Sequence, residues 1–279
     1  MRRSLPHALI PLVVVALPAV LLAGPEPREV SDDGRTTAVV DPTITEGRAL
    51  VQRDGVPYGP APDWGNTLRR QVGGLQVADL DGDGWNDVVV GCYQSNSYPP
   101  YTDWENLIYF NAGGTLEADP SWVSADEVST GDVQVADFDG DEYLDVFAAN
   151  GGFAMSPSVI YFGGPDGPST TPGCGSIQPQ SAWNNYALPI DIDHDGDVDV
   201  VTANQGNSQY DPHRPLFVFT NDDGALNPVP GWQSAEVSIQ NFLAAGDLDG
   251  DGWEDVAVSK WVNFESGVYR NRDGVLDAT

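Results

Sequence analysis

The sequence is poor in positive charge, and this scarcity excludes one class of partner. It has 12 Lys and Arg residues against 42 Asp and Glu residues, a formal net charge of −30 at pH 7. Such a surface is repelled by phosphate backbones and anionic lipids, so nucleic acid is not expected as a partner. The charge alone is also compatible with a solubility or salt-adaptation trait, and the positions of the acids decide between these interpretations.

Cysteine and histidine are also scarce. Cys92 and Cys174 are the two cysteines, and neither lies in a motif for nucleophilic catalysis or zinc. They allow one disulfide in an oxidising compartment, but two buried free thiols fit the sequence equally well. After the N-terminal segment the histidines are His194 and His213. No acid–base pair is evident, so the chain is not expected to be an enzyme.

Long apolar runs are absent except at the N-terminus. A basic start precedes an apolar stretch at 8–22, and small residues follow. This order is typical of a secretory signal peptide, predicted for residues 1–23. An uncleaved anchor is disfavoured because the run is short and carries Pro11 and Pro18. We expect a protein that is secreted or located at the cell surface or in the periplasm, with no membrane span in the mature chain.

The residue types that are abundant favour an all-β fold. The chain of 279 residues has 31 Gly, 22 Pro, 8 Trp, 10 Tyr and 9 Phe, and 41% of it is hydrophobic. This composition is typical of many short strands joined by tight turns. Residues 24–47 lack periodicity and are predicted to be a linker.

An acidic motif recurs along the chain. The stretch "VADLDGDGWNDVVV" has counterparts in "VADFDGDEYLDVFA", "PIDIDHDGDVDVVT" and "AAGDLDGDGWEDVAV". The motifs follow one another at intervals of about 56 residues, which marks an internal repeat. Their acidic loops lie at 79–87, 137–145, 191–199 and 247–255.

Each repeat unit predicts four strands. One strand enters the acidic loop, one leaves it, one ends in an Asn/Gly/Asp turn as in "LIYFNAGG", and one leads to a tryptophan. The tryptophans Trp122, Trp183 and Trp232 are expected to pack between sheets. Four-stranded units without helical patterns are typical of β-propeller blades. We therefore predict about four blades and a partial one over residues 48–279, as an open arc or a fragment of a longer propeller.

The acidic loops are candidate metal sites. Aspartates at positions 1, 3, 5 and 9 of a tight turn converge, and oxygen-only ligands in a flexible loop suit Ca²⁺. The backbone carbonyl of position 7 adds a further oxygen. The sequence thus predicts up to four Ca²⁺ ions. The aspartate ligands are Asp79, Asp81, Asp83, Asp87, Asp137, Asp139, Asp141, Asp145, Asp191, Asp193, Asp195, Asp199, Asp247, Asp249, Asp251 and Asp255, and the carbonyl ligands are those of Trp85, Tyr143, Asp197 and Trp253.

The loops differ from one another and from EF-hands. An EF-hand would have glutamate at the twelfth position, where this chain has Val90, and helices instead of strands on both sides. The fourth loop matches the first, and His194 replaces a glycine in the third. Glu142 stands at the sixth position, where the other loops have glycine, so the second site is expected to be strained and the weakest.

These motifs resemble FG-GAP repeats, also called VCBS-type repeats, which occur in integrin α-subunit propellers and in many secreted bacterial proteins. The resemblance covers roughly residues 49–279 and rests on the acidic loop, the strand after it and the "YFN-x-G" hairpin recurring together. It implies a β-propeller with Ca²⁺ in the loops between the first two strands of each blade. By the resemblance, the ligands are the aspartates named above.

A ligand face is predicted at the ends of the blades opposite the acidic loops. The loops there are aromatic and polar, and their candidate binding residues are Tyr93, Tyr98, Tyr101, Tyr210, His213 and Trp261. Such side chains stack on sugars or dock proteins, although packing between blades explains some of them equally well.

Three functions are therefore compatible with the sequence. The first is a secreted calcium-binding propeller that acts as an adhesion or ligand-recognition module for a protein or carbohydrate, with calcium mainly structural. The second is part of a polysaccharide-active enzyme. The third is a purely structural segment of a longer surface protein.

Overall fold

Strands are the regular structure throughout the part of the chain that the computed structural model describes. That part comprises residues 30–32, 36–39, 50–53, 64–66, 68–93, 103–151, 156–177, 184–204, 213–261 and 264–277. It contains no helix, and so none long and apolar enough to cross a membrane. The predicted signal peptide at 1–23 lies outside these residues.

Two compact units divide the chain, Met1–Asp63 and Trp64–Thr279. The first contains one antiparallel sheet, with strands β1 (Val30–Asp32), β2 (Thr36–Val39) and β3 (Leu50–Arg53). Two of these strands lie in the segment predicted to be a linker. The domain division at residue 48 stays a prediction, whereas the compact second unit begins at Trp64.

Each repeat in the second unit forms one antiparallel sheet, here called a blade. Blades 1 and 3 each have four strands and a separate two-stranded hairpin between the third and the fourth. Blade 2 has four strands, and blade 4 has three and a hairpin among the described residues. The strands of blade 1 are β4 (Val72–Ala78), β5 (Asp87–Cys92), β6 (Leu107–Tyr109), β7 (Asn111–Ala112), β8 (Thr115–Leu116) and β9 (Trp122–Val123).

The later blades repeat this order with small changes. Blade 2 consists of β10 (Thr130–Ala136), β11 (Asp145–Asn150), β12 (Ser158–Tyr161) and β13 (Cys174–Ile177). Blade 3 consists of β14 (Asn184–Ile190), β15 (Asp199–Asn204), β16 (Phe217–Phe219), β17 (Asn221–Asp222), β18 (Ala225–Leu226) and β19 (Trp232–Gln233). Blade 4 consists of β20 (Gln240–Gly246), β21 (Asp255–Lys260), β22 (Gly267–Tyr269), β23 (Asn271–Arg272) and β24 (Val275–Leu276).

The hydrophobic core lies between consecutive blades. The first strands contact one another in sequence, β4 with β10, β10 with β14 and β14 with β20. One buried cluster joins blades 1 and 2 through Val89, Ile108 and Val133, and comparable clusters join the later pairs. The all-β, blade-like fold is thus confirmed, and the described sheets do not close into a ring.

Two of the predicted packing tryptophans lie at the joints between blades, where consecutive sheets pack against each other. Trp122 is 5% exposed, donates its indole N–H to the carbonyl of Pro168 at 2.7 Å and meets Tyr161 edge to face. Trp232 meets Tyr269 in the same way. Their packing role is confirmed, because each begins the fourth strand of its blade and contacts the next blade. Trp183 lies outside the described residues.

Candidate metal centre

The acidic loop of each blade joins the first strand to the second, and a buried aspartate fixes its end. Asp87 is fully buried and opens β5. One of its oxygens accepts the N–H of Leu80 at 2.9 Å, and the other accepts the N–H of Asn111 at 2.8 Å. This carboxylate therefore ties the loop to the end of the third strand. The equivalent aspartates Asp145, Asp199 and Asp255 are also fully buried and accept the corresponding pair of N–H groups.

Backbone N–H groups orient the other carboxylates. Asp79 accepts the N–H of Gly84 across the loop at 2.9 Å, while Asp81 and Asp83 each accept the N–H two residues onward. Such local hydrogen bonds favour a turn over regular strand. The side chains at position 5 behave alike in all loops, since Asp141, Asp195 and Asp251 accept the N–H of Tyr143, Asp197 and Trp253.

Each loop needs two residues in the left-handed conformation. In the first loop these are Gly82 and Gly84, with φ of 73° and 91°. Glu142 holds this conformation in the second loop with φ of 75°, and His194 does so in the third with φ of 59°. A side chain at positive φ is strained, so the backbone cost expected at Glu142 is present, and His194 carries a similar one.

The loops bring three carboxylates together in each blade. In the first three loops the aspartates at positions 1, 3 and 9 offer oxygens within 4.8 Å of one another, whereas in the fourth loop the aspartates are those at positions 1, 3 and 5. These groups are Asp79, Asp81 and Asp87; Asp137, Asp139 and Asp145; Asp191, Asp193 and Asp199; and Asp247, Asp249 and Asp251. The predicted position-5 ligands of the first three loops lie outside these groups.

The first three loops fit a hard divalent cation. In each of them one carboxylate oxygen is buried without a hydrogen-bond partner: Asp79 Oδ1, Asp139 Oδ1 and Asp191 Oδ1. A buried anionic oxygen without a partner is costly, and a cation removes that cost. Because the converging donors are carboxylate oxygens, the site suits Ca²⁺ better than zinc or copper.

Without a bound cation, the charged form of the buried carboxylates is less favourable than that of a free aspartate. Burial raises the pKa of Asp145 and of Asp199 to about 6, and neighbouring loop aspartates add to the rise, although backbone N–H groups oppose it. The pKa of Asp87 is raised for the same reasons. A bound cation would reverse this direction, because it favours the charged carboxylate.

The fourth loop differs from the first, although their aspartates match. Arg270 reaches Asp255 at 2.5 Å, and Arg272 lies 3.2 Å from both Asp249 and Asp251. Burial opposes ionisation of Asp255, but the N–H of Asn271 and the guanidinium of Arg270 outweigh it and lower its pKa. The loop therefore contains its own positive charge. The sequence analysis missed this positive charge, although the two arginines in "GVYRNRDG" could have indicated it.

The second and third acidic loops are also packed against the hairpin of the following blade. The side-chain amide of Asn221 in blade 3 donates to the carbonyl of Phe138 in the second loop at 2.8 Å, and Asn271 does the same to Ile192 in the third. The third loop also contacts the fourth, because the ring of His194 stacks on Trp253 at 4.2 Å. The loops are thus part of the joints between blades.

The predicted ligand face lies at the other end of the first strands. Tyr93 and Trp261 border a groove of about 400 Å³ there, together with Phe242, Asn241 and the start of β4. His213 is not among the residues that line this groove, and it meets Phe264 edge to face at 5.0 Å. Tyr98, Tyr101 and Tyr210 lie outside the described residues.

The fold and the loops together define a class, an all-β repeat protein with one acidic turn in each blade. The FG-GAP-like repeat family matches residues 79–148 and 191–258. These two segments are therefore FG-GAP-like repeats, as their motifs indicated.

Two solved structures are similar to this chain. The V. cholerae biofilm matrix protein Bap1 is 20% identical with a TM-score of 0.46, and the match covers 87% of this chain and 32% of Bap1. BBS1N, solved in complex with ARL6DN, is 13% identical with a TM-score of 0.45, and the match covers 78% of this chain and 58% of BBS1N. The sequence matches none of the curated proteins with which it was compared.

Proposed function

We propose that the chain is an extracellular adhesion or ligand-recognition module whose repeats are stabilised by Ca²⁺. The observation that carries the calcium part is the buried carboxylate oxygen left without a partner in each of the first three loops. A divalent cation among these carboxylates satisfies that oxygen and removes the repulsion between like charges. The proposal assigns no catalytic step to the protein.

The role of the cation in this proposal is structural. The second and third acidic loops contact the hairpins of the following blades, so a cation that fixes either loop also fixes a joint between two sheets. With the affinity of extracellular calcium modules, millimolar Ca²⁺ stabilises by about 0.4–1.4 kcal/mol per site. Several sites together amount to a substantial part of the stability of an ordinary domain.

Recognition is assigned to the groove at the opposite end of the blades. Phe242 and Trp261 are 64% and 53% exposed there, beside Tyr93 and the amide of Asn241. Exposed aromatic rings beside hydrogen-bonding groups suit the face of a sugar or an aromatic-rich protein segment. Because the groove lies away from the acidic loops, ligand binding and calcium binding use separate residues.

The test of the calcium part is a titration of the chelator-treated chain with CaCl₂ and, separately, MgCl₂ by calorimetry. We expect saturable binding that is selective for Ca²⁺, and the loss of one ion in Asp81→Asn. An equal response to both cations, or no binding at millimolar Ca²⁺, would contradict the proposal. For the groove, Trp261→Ala should weaken binding in a glycan array while the calcium titration stays unchanged.

A further inference from the structure

Two arginines distinguish the fourth acidic loop from the other three. Arg270 directly precedes Asn271, whose N–H binds the buried aspartate of its own loop. The residues at the same point of the other blades are Phe110, Phe162 and Thr220. Arg272 likewise stands where the other blades have Ala112, Gly164 and Asp222. The hairpin of blade 4 is therefore the one that places two guanidinium groups beside an acidic loop.

The two guanidinium groups reach three of the four predicted aspartate ligands of this loop. Arg270 Nη1 lies 2.5 Å from Asp255 Oδ2 and 4.0 Å from Asp249 Oδ2. Arg272 Nη1 lies 3.2 Å from one oxygen of Asp249 and 3.2 Å from one oxygen of Asp251. Arg272 thus bridges the carboxylates at positions 3 and 5, while Arg270 holds the one at position 9.

The other loops show the opposite arrangement. Throughout the described residues, no lysine or arginine pairs with an aspartate of the first three loops. Each of those loops has one buried carboxylate oxygen without a hydrogen-bond partner, whereas Asp247, Asp249 and Asp251 of the fourth loop are exposed to solvent. Among the described residues, the aspartates of the first three loops therefore have no lysine or arginine partner, whereas those of the fourth have two guanidinium groups.

We propose that Arg270 and Arg272 take the place of the cation in the fourth loop, so that the protein binds Ca²⁺ at three loops and not at four. This inference rests on the proposed function for the first three loops. A Ca²⁺ ion entering the fourth loop would have to displace two guanidinium groups whose planar donors match carboxylates. It would also bring its charge close to theirs.

This assignment changes how the blades respond to chelation. The first three loops lose their neutralising charge when Ca²⁺ is removed. The fourth loop keeps its ion pairs, so blade 4 is expected to stay folded at Ca²⁺ concentrations that loosen blades 1 to 3.

The experiment counts bound calcium on the full chain by native mass spectrometry with CaCl₂ titration. We expect three ions on the wild-type chain and four on Arg270→Phe/Arg272→Ala, which carries the residues of blade 1 at both positions. Asp81→Asn should remove one ion from both chains, whereas Asp249→Asn should remove one only from the double variant. Four ions on the wild-type chain, or three on the double variant, would overturn the proposal.

Thermal unfolding in excess chelator supplies a readout that does not depend on calcium. The double variant should unfold at a lower temperature than the wild type, and CaCl₂ should restore part of the difference. If neither chain binds calcium, the proposed function fails, and the midpoint in chelator still tests the arginines. An unchanged midpoint would then overturn their role. Arg272→Ala alone, at a half-exposed side chain, serves as the milder variant if the double variant does not fold.

Discussion

Replacement of Glu142 by glycine is expected to stabilise the protein. Glu142 holds φ of 75° at the position where Gly84 and Gly252 have φ of 91° and 94°. The left-handed conformation costs a residue other than glycine about 1–2 kcal/mol. Against this gain, glycine lowers the stability by about 0.4–1 kcal/mol, because it gives the unfolded chain more conformational freedom. We expect a net gain of about 0.5–1 kcal/mol, or a midpoint higher by about 2–3 °C for a unit of this size.

Three further variants separate backbone strain from other causes in thermal unfolding followed by circular dichroism. Gly84→Ala places a methyl group where no atom lies within 4 Å, so it should lower stability through the backbone alone. Glu142→Gln removes the charge but keeps the strain, and it should give little of the gain. His194→Gly releases similar strain but loses the stacking on Trp253, so its gain should largely cancel.

The reasoning is refuted if Glu142→Gln reproduces the whole gain, because charge repulsion would then explain it. It is refuted equally if Glu142→Gly leaves the midpoint unchanged while Gly84→Ala lowers it. The same variants, titrated with CaCl₂, test whether the second loop is the weakest site, since release of the strain should then tighten its binding.

Three other measurements follow from the structure. Saturating millimolar CaCl₂ should raise the free energy of unfolding by about 1–4 kcal/mol over the chelated chain, as the sum of three sites, and an unchanged urea midpoint would contradict this. The calcium-dependent gain should shrink as pH falls below about 6, where Asp145 and Asp199 take up protons. The stability of the chelated chain should depend on pH in the opposite direction. Its folded state binds more protons than the unfolded state between the ordinary aspartate pKa and about 6, so the free energy of unfolding should fall as pH rises through that window. A flat urea midpoint across that window in chelator would contradict the raised pKa values. Gly224→Ala should destabilise the protein by about 1–3 kcal/mol in urea unfolding, because its new Cβ would lie 2.5 Å from the carbonyl oxygen of Asp139 in the preceding blade. Gly250→Ala, where the space is open, is its control, with a smaller loss expected from the backbone alone.

Much of the fold follows from local sequence patterns. The spacing of aspartates and glycines sets the turn, and the apolar runs on both sides of it set the strands. These signals act over a few residues, so they predicted the four strand–loop–strand units, and the first two strands of each blade lie where the motif places them. The repeated tryptophan also marks the fourth strand, although this strand begins at Trp122 and Trp232 and was predicted to lead to them.

The candidate metal centre was predictable only in part. The aspartates at positions 1, 3 and 9 of the first three loops converge, and this follows from their spacing. The side chains at position 5 are held by the N–H two residues onward, and the choice between this turn and a ligand role depends on the folded geometry. The interior position of Asp87 and its two backbone donors likewise required the third strand, which is distant in sequence.

The sequence by itself determined the repeat, the β class and the order of acidic loops, because these depend on residues a few positions apart. Only the tertiary structure decided which charges meet. Arg270 lies 15 residues beyond Asp255, and the two pair because β22 returns beside β21. Tyr93 and Trp261 border one groove because the starts of β4, β10 and β20 line it together. Contacts of this kind depend on how sheets pack, and the local periodicity of a strand carries no information about its neighbour.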